Sequence, residues 1–223
     1  MIVEERMTTY INSLDRGHTP FLEDLYQEAK DTFVPIIRRE MQSFLKVFLM
    51  ANKPGKILEV GAAIGFSSIF MATYGPDDLK ITTIENYDKR IPVARENIRK
   101  AGFEDKIELI EGDAQDVLKT LDGTYDLIFM DAAKGQYIHF LPDILRLMHP
   151  GSILISDNVL QDGDLIESHF LIERRNRTIY KRMREYLYEL KHHPQLETSI
   201  VPLGDGITIS IKLEEQRKET EEE

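Results

Sequence analysis

From Lys56 onward the chain repeats one rhythm, a short apolar run followed by a stretch of helical length. KILEVG, LKITTIE, KIELIEG, YDLIFMD and GSILISD are the five runs. Strands separated by helix-length segments pair in parallel, because each crossover uses a helix to return the chain to the same end of the sheet. The pattern predicts an α/β fold: a doubly wound, Rossmann-like sheet with helices on both faces. The breaks NKPG, YGPDD, KAGFEDK, LDGTY and HPG carry the expected turn residues. Near the end, TSIVPLGDGITISIKL places two alternating runs about a Gly204-Asp205-Gly206 turn. They predict an antiparallel edge that brings the sheet to seven strands.

Residues 1 to about 52 predict three helices covering part of the site. The third runs from about residue 36 to 51, after Pro35, with Met41, Phe44, Leu45, Phe48 and Leu49 at core-facing spacing. A further helical stretch is expected from 163 to about 191. With 223 residues, 42% of them hydrophobic, the chain can build one sizeable core. The expected organisation is a single domain over 1–213, with a helical cover over 1–52 and the sheet core over 56–213. The tail EEQRKETEEE, residues 214–223, has no apolar residue to bury and is expected to be disordered. Cysteine is absent, which removes disulfides, thiolate metal sites and thiol nucleophiles from consideration. The start, MIVEERMTTYINSL, lacks the pattern of a signal peptide, and no run approaches the ~20 apolar residues of a membrane span. A soluble, cytoplasmic protein without membrane contact is expected. A net charge of -11 opposes indiscriminate binding to nucleic acid or anionic lipid.

In an open α/β sheet ligands collect beyond the carboxyl ends of the strands. Every predicted strand here ends in or beside an acid: Glu59-Val60-Gly61, Glu85, Gly112-Asp113, Asp131 and Asp157-Asn158. The Gly61 to Gly65 turn permits close backbone approach to a ligand, with Ser67 and the next helix's amides as donors. The G-x-G-x-x-G fingerprint is missing because position 63 is alanine, which disfavours a pyrophosphate cradle. Glu85, 20 residues after Gly65, is placed to accept ribose hydroxyls, and Asp113 to meet an adenine edge. Acids around the pocket suit a ligand with cationic sulfur and an ammonium, which describes S-adenosylmethionine. The bland alternative is that these acids are helix caps and solvated turn residues.

Asp131, Asp157 and Asn158 fall at the ends of neighbouring strands four and five. Three oxygen donors, two of them charged, suit a hard divalent cation such as Mg2+; the alternative for Asp157-Asn158 is a cap or Asx turn. Lys134 follows Asp131 by three residues. Beside a dication and a cationic cofactor its ammonium should be destabilised, which makes it a candidate base.

The set LEVGAAIGFSS, TTIE, EGDA, FMDAAKGQY, LISDNVL and VPLGDGITIS resembles the cation-dependent O-methyltransferases, the group holding catechol and caffeoyl-CoA O-methyltransferases, over about residues 35 to 213. The pairing of D-x-x-K with D-N is the specific part. The resemblance implies a cofactor pocket of Ile37 from the third helix, Gly61, Ser67, Glu85, Asp113, Ala114 and Asp131. It implies Mg2+ held by Asp131, Asp157 and Asn158, with Lys134 as the base. It is greatest to the bacterial branch that methylates 5-hydroxyuridine at the tRNA wobble position, so tRNA is the expected substrate. The segment Arg38-Arg39-Glu40-Met41-Gln42, where the family often has acids, also favours an anionic partner over a small phenol.

For an RNA surface the candidate is a helix over 173–191, with Ile179, Met183, Tyr186, Leu187 and Leu190 on one face and Arg174, Arg177, Lys181 and Arg184 on the other. The alternative is a solvated helix face. Tyr137 and His139 are expected to pack in the core or at the pocket rim, with shaping of the pocket as the alternative, and His192-His193 is given no role. Rival functions are a small-molecule catechol or caffeoyl-CoA-like O-methyltransferase, a nucleotide-dependent oxidoreductase and a non-enzymatic nucleoside-binding module. Apolar residues on the amino-terminal helices predict a homodimer.

Overall fold

The computed structural model describes residues 3–167 and 172–214. Three helices, α1 (Glu5–Ser13), α2 (Pro20–Asp31) and α3 (Arg39–Asn52), precede β1 (Lys56–Val60), α4 (Phe66–Tyr74), β2 (Lys80–Glu85), α5 (Ile91–Ala101), β3 (Ile107–Glu111), α6 (Ala114–Thr120), β4 (Tyr125–Met130), α7 (Tyr137–Arg146) and β5 (Met148–Ser156). The chain closes with α8 (Arg177–His192), β6 (Leu196–Val201) and β7 (Ile207–Lys212). The seven strands lie in the order β3-β2-β1-β4-β5-β7-β6. β1 to β5 are mutually parallel, while β7 runs antiparallel between β5 and β6. The predicted antiparallel pair is therefore present, with the later strand inside and the earlier one at the edge.

Residues alternating along each strand feed two separate cores. Ile57, Leu127, Phe129 and Ile155 pack with α2, α3, α4 and α5 on one face. Leu58, Val60, Ile128, Met130 and Leu154 pack with α6, α7 and α8 on the other. Each such side chain removed from water stabilises by about 1.5–3 kcal/mol, so sliding any central strand by one residue would misplace both sets. The strand order reverses at β1/β4, and the cleft this opens is where the site forms. Among the described residues no helix is long and apolar enough to cross a membrane.

Two boundaries differ from expectation. α3 begins at Arg39, so Ile37 lies in the extended segment ahead of the helix instead of inside it. The buried Gln42 side chain donates to the Ile37 carbonyl at 2.7 Å, holding that segment extended. Among the described residues, the stretch expected to be helical from 163 is α-helical from Arg177; 3-10 turns occupy Gln161–Ile166 and Arg174–Asn176. Gln161 at φ 49° and Gly163 at φ 96° are left-handed, a backbone no α-helix includes. The tail beyond residue 214 lies outside the described residues, and so does most of its expected disorder.

Candidate active site

A cleft of about 700 Å3 sits at the carboxyl ends of the strands, on both sides of the β1/β4 reversal. Ile37, Gly61, Ser67, Glu85, Asp113, Ala114, Asp131, Lys134, Asp157 and Asn158 all line it. Residues scattered over 122 positions of sequence thus converge because parallel strands deliver their ends to one edge.

On the β1–β3 side the backbone does most of the shaping. Gly61 stands at φ 107°, and a Cβ there would lie 2.2 Å from the Asp131 carbonyl oxygen, so only glycine lets the β1 turn approach the end of β4. Ala63, at φ 48°, is also left-handed, at a cost of about 1 kcal/mol for an L-residue. Its N–H donates to Glu85 Oε2 at 2.7 Å, while Glu85 Oε1 accepts from Asn86 and Tyr87 N–H at 3.0 and 2.9 Å. Asp113 caps α6 by accepting from Gln115 N–H at 2.8 Å. The cap reading of Asp113 and its pocket position hold together, since one carboxylate oxygen serves the helix and the residue still lines the cleft. Beneath the glycine turn lies Glu59, fully buried, accepting from Thr83 Oγ1 at 2.5 Å. Burial pushes its carboxyl up to about 7, against the opposing pull of the Ser67, Thr83 and Ser68 hydroxyls.

On the β4–β5 side the ends are in register, Met130 opposite Ser156, and the last rung is Asp157 N–H to Met130 O at 2.9 Å. Asp131 and Asp157 are the next residues out. Asn158 takes a left-handed φ of 55°, a conformation asparagine tolerates better than most, and its N–H donates to Asp157 Oδ1 at 2.7 Å. The Lys134 ammonium stands among them, 2.7 Å from Asp131 Oδ1 and 2.8 Å from Asn158 Oδ1. Asp157 is pushed up to about 7, first by burial and then by the neighbouring Asp131 charge.

The expectation of a destabilised Lys134 ammonium concerns the site with a dication and a cofactor bound; the chain's own charges act the other way. Burial does oppose its charge, but Tyr137 together with the Asp131 and Asp157 carboxylates outweighs burial and raises its pKa above the ordinary lysine value.

The residues fit a divalent cation on the chemistry of the donor set. Asp131 Oδ1 and Asn158 Oδ1 already converge on one positive centre, the ammonium, and Asp157 is a buried carboxylate beside them. Hard oxygen donors of this kind suit Mg2+.

Sequence reasoning missed Gln42, which fixes Ile37; Tyr137 is buried as expected, and its hydroxyl is also bonded into the site. It also missed that Arg38, Tyr87, Arg90 and Gln115 line the cleft. Arg39 is not available to an anionic partner: Glu23 engages it at 2.8 Å and its guanidinium lies 3.7 Å from the centre of the Tyr26 ring. Of the four cations predicted along the last helix, Arg177 donates to the Ile172 carbonyl and Arg184 to the Leu165 carbonyl and Tyr180 hydroxyl. Arg174 and Lys181 are exposed.

Residues 12–213 match the family model described as O-methyltransferase. Caffeoyl-CoA O-methyltransferase 2 of Populus trichocarpa is 33% identical over 180 residues, 74% of this chain and 70% of the relative. The catechol O-methyltransferase of Mycobacterium tuberculosis is 32% identical over 160 residues, 70% of this chain and 73% of the relative. Among solved structures, the S-adenosylhomocysteine-bound Podospora anserina methyltransferase superposes with a TM-score of 0.85 at 27% identity, over 94% of this chain and 95% of that one. A Staphylococcus aureus protein provisionally described as a caffeoyl-CoA O-methyltransferase superposes with a TM-score of 0.86 at 32% identity, over 93% and 100%. The chain belongs to the O-methyltransferase family, in its caffeoyl-CoA and catechol type.

Proposed function

We propose that this chain transfers the methyl of S-adenosylmethionine to one of two adjacent oxygens of an acceptor held against a divalent cation at Asp131, Asp157 and Asn158. The observation behind this is that the Asp131 carboxylate and the Asn158 amide oxygen meet on one point at the ends of β4 and β5, with Asp157 lining the same cleft, which also holds the Gly61 turn, Glu85 and Asp113. When bound, the cofactor supplies an electrophilic methyl on cationic sulfur, and the dication acidifies and orients a hydroxyl. Glu85, immobilised by three amides, accepts from ribose hydroxyls. Asp113 and Ala114 border the adenine, and Ile37 and Ser67 close the cleft from the α3 and α4 sides. Lys134 is placed to take the acceptor's proton once Asp131 and Asp157 are engaged by the cation, since these carboxylates otherwise keep its own proton on. Most of the rate enhancement would come from alignment of the two reactants.

For the acceptor, two readings have support. A small catechol or caffeoyl-CoA-like phenol is supported by what the relatives are named for. 5-Hydroxyuridine of tRNA, whose 5-hydroxyl and 4-carbonyl form a similar oxygen pair, is supported by the exposed Arg174 and Lys181. Turnover of S-adenosylmethionine with catechol, caffeoyl-CoA and hydroxylated tRNA, each with Mg2+ and with excess chelator, tests both. Full turnover in chelator would refute the cation, and no transfer to any of the three would refute the acceptor class.

A homodimer is proposed on the amino-terminal layer. α1 buries none of its residues, and Met7, Tyr10 and Ile11 on it, Leu14 just after it, and Val47 and Met50 on α3 stay exposed. Sedimentation at a single chain mass would dismiss it.

A further inference from the structure

We propose that Tyr137 is a positioning residue for the cation site: its hydroxyl ties the ends of β4 and β5 together and so fixes the spacing of Asp131, Asp157 and Asn158. The inference rests on the reading of those three side chains as cation ligands. Tyr137 is fully buried at the start of α7. Its hydroxyl lies 3.1 Å from the Met130 carbonyl and 3.2 Å from the Asp157 carbonyl. It also lies 3.3 Å from the Ala132 N–H and 3.2 Å from Lys134 Nζ. A phenol has one proton and two lone pairs. Here the proton serves the two carbonyls, and the lone pairs accept from the amide and the ammonium.

A buried tyrosine usually finds one partner somewhere. The identity of these partners is what distinguishes this one. Met130 immediately precedes Asp131, and Asp157 is itself a proposed ligand. The β4–β5 ladder ends at Asp157 N–H to Met130 O, after which Ala132 and Asn158 lead away, so the phenol oxygen replaces the missing next rung. The ring is fixed from behind by α8: Tyr186 stands edge-on at 5.5 Å, and its hydroxyl bonds Ser156 Oγ at 2.6 Å. Octahedral coordination at about 2.0–2.1 Å tolerates little drift of its oxygens, and the bond to Lys134 Nζ aims the candidate base at the same time.

The test uses the full-length protein with Mn2+ as probe, free ion being counted by its paramagnetic resonance, and S-adenosylhomocysteine binding measured calorimetrically. Wild type should bind one Mn2+ per chain and Asp157→Ala none. Tyr137→Phe should bind Mn2+ about tenfold more weakly while its S-adenosylhomocysteine affinity stays within twofold. Its half-saturating metal concentration should rise, with kcat largely recovered at excess metal. Unchanged Mn2+ affinity in Tyr137→Phe, or equal loss of metal and S-adenosylhomocysteine binding, would overturn the assignment. Failure of wild type to bind Mn2+, or undiminished binding by Asp157→Ala, would overturn the cation reading and this inference with it. If circular dichroism shows Tyr137→Phe unfolded, p-aminophenylalanine at 137 keeps the ring and a donor but is a poor acceptor. Weaker Mn2+ binding by that variant supports the role, and wild-type binding overturns it.

Discussion

The two halves of the cleft hold their acids by different means. On the β1–β3 side backbone amides do the work: three N–H groups converge on Glu85 and one on Asp113. On the β4–β5 side Asp131 is held by an ammonium, and Asp157 by a single amide and heavy burial. Amide donors belong to the fold and stay put, so Glu85 is shaped in advance for neutral hydroxyls. One carboxylate on an ammonium with a second, buried carboxylate close by is instead a charge arrangement that another cation can use, at a cost in stability that the rest of the core offsets.

Crossing the two halves should produce the largest effects. Asp157→Ala is expected to lower cation-dependent turnover at least 100-fold and leave S-adenosylhomocysteine binding nearly unchanged. Its thermal midpoint should not fall in proportion, because a carboxylate whose pKa burial has raised to about 7 is poorly accommodated in its charged form. Glu85→Gln should do the reverse, weakening S-adenosylhomocysteine about tenfold with Mn2+ affinity intact. An amide NH2 facing any of the three N–H donors leaves groups unpaired. If calorimetry shows either substitution weakening both ligands equally, the two halves are one unit and the contrast fails.

The contrast is sharpened by Glu59, which lies under the amide-shaped half but is buried as deeply as any acid in the molecule. Its carboxyl is pushed from 4.5 to about 7, mainly by burial. The folded state therefore binds more protons than the unfolded chain between those values. Stability from this group is fully present below about 4.5 and is lost as pH rises through about 7. The span corresponds to about 3 kcal/mol. Glu59→Gln, whose carbonyl can still accept from Thr83, should flatten this decline in urea titrations between pH 4.5 and 8. A parallel decline in the variant would place the effect elsewhere.

The strand-end acids were legible because a parallel sheet must deliver successive strand ends to one edge, so Glu85, Asp113, Asp131 and Asp157 could be placed from pattern alone. What stayed hidden depends on contacts distant in sequence. Tyr137 follows Lys134 by three residues, a spacing that hints at a shared face, but its bond to the Asp157 carbonyl crosses from another strand. Ile37 was misplaced into a helix because nothing local announces that Gln42 will claim its carbonyl. The chain's own pull on the Lys134 proton is hidden for a similar reason, since one of the carboxylates behind it, Asp157, lies 23 residues away. The basic face expected over 173–191 differs from the structure in two ways: Arg174 falls in a 3-10 turn ahead of α8, and two of the remaining charges are bonded to backbone that the pattern does not reveal.

That last difference sets the smallest prediction. Arg177 and Arg184 secure the segment before α8 through the Ile172 and Leu165 carbonyls, so reversing them would disturb structure along with any surface. Arg174 is exposed, and Lys181 pairs with Glu185 at 3.7 Å with both side chains largely in water. Such a pair contributes little to stability. The double variant Arg174→Glu, Lys181→Glu should therefore fold as wild type and methylate catechol at an unchanged rate. If tRNA is the acceptor, its KM should rise several-fold, and the logarithmic dependence of KM on salt should lose about two units of slope, one for each lost phosphate contact. An equal change for both acceptors would trace the effect to the cleft, and no change for tRNA would leave these two cations as solvated surface.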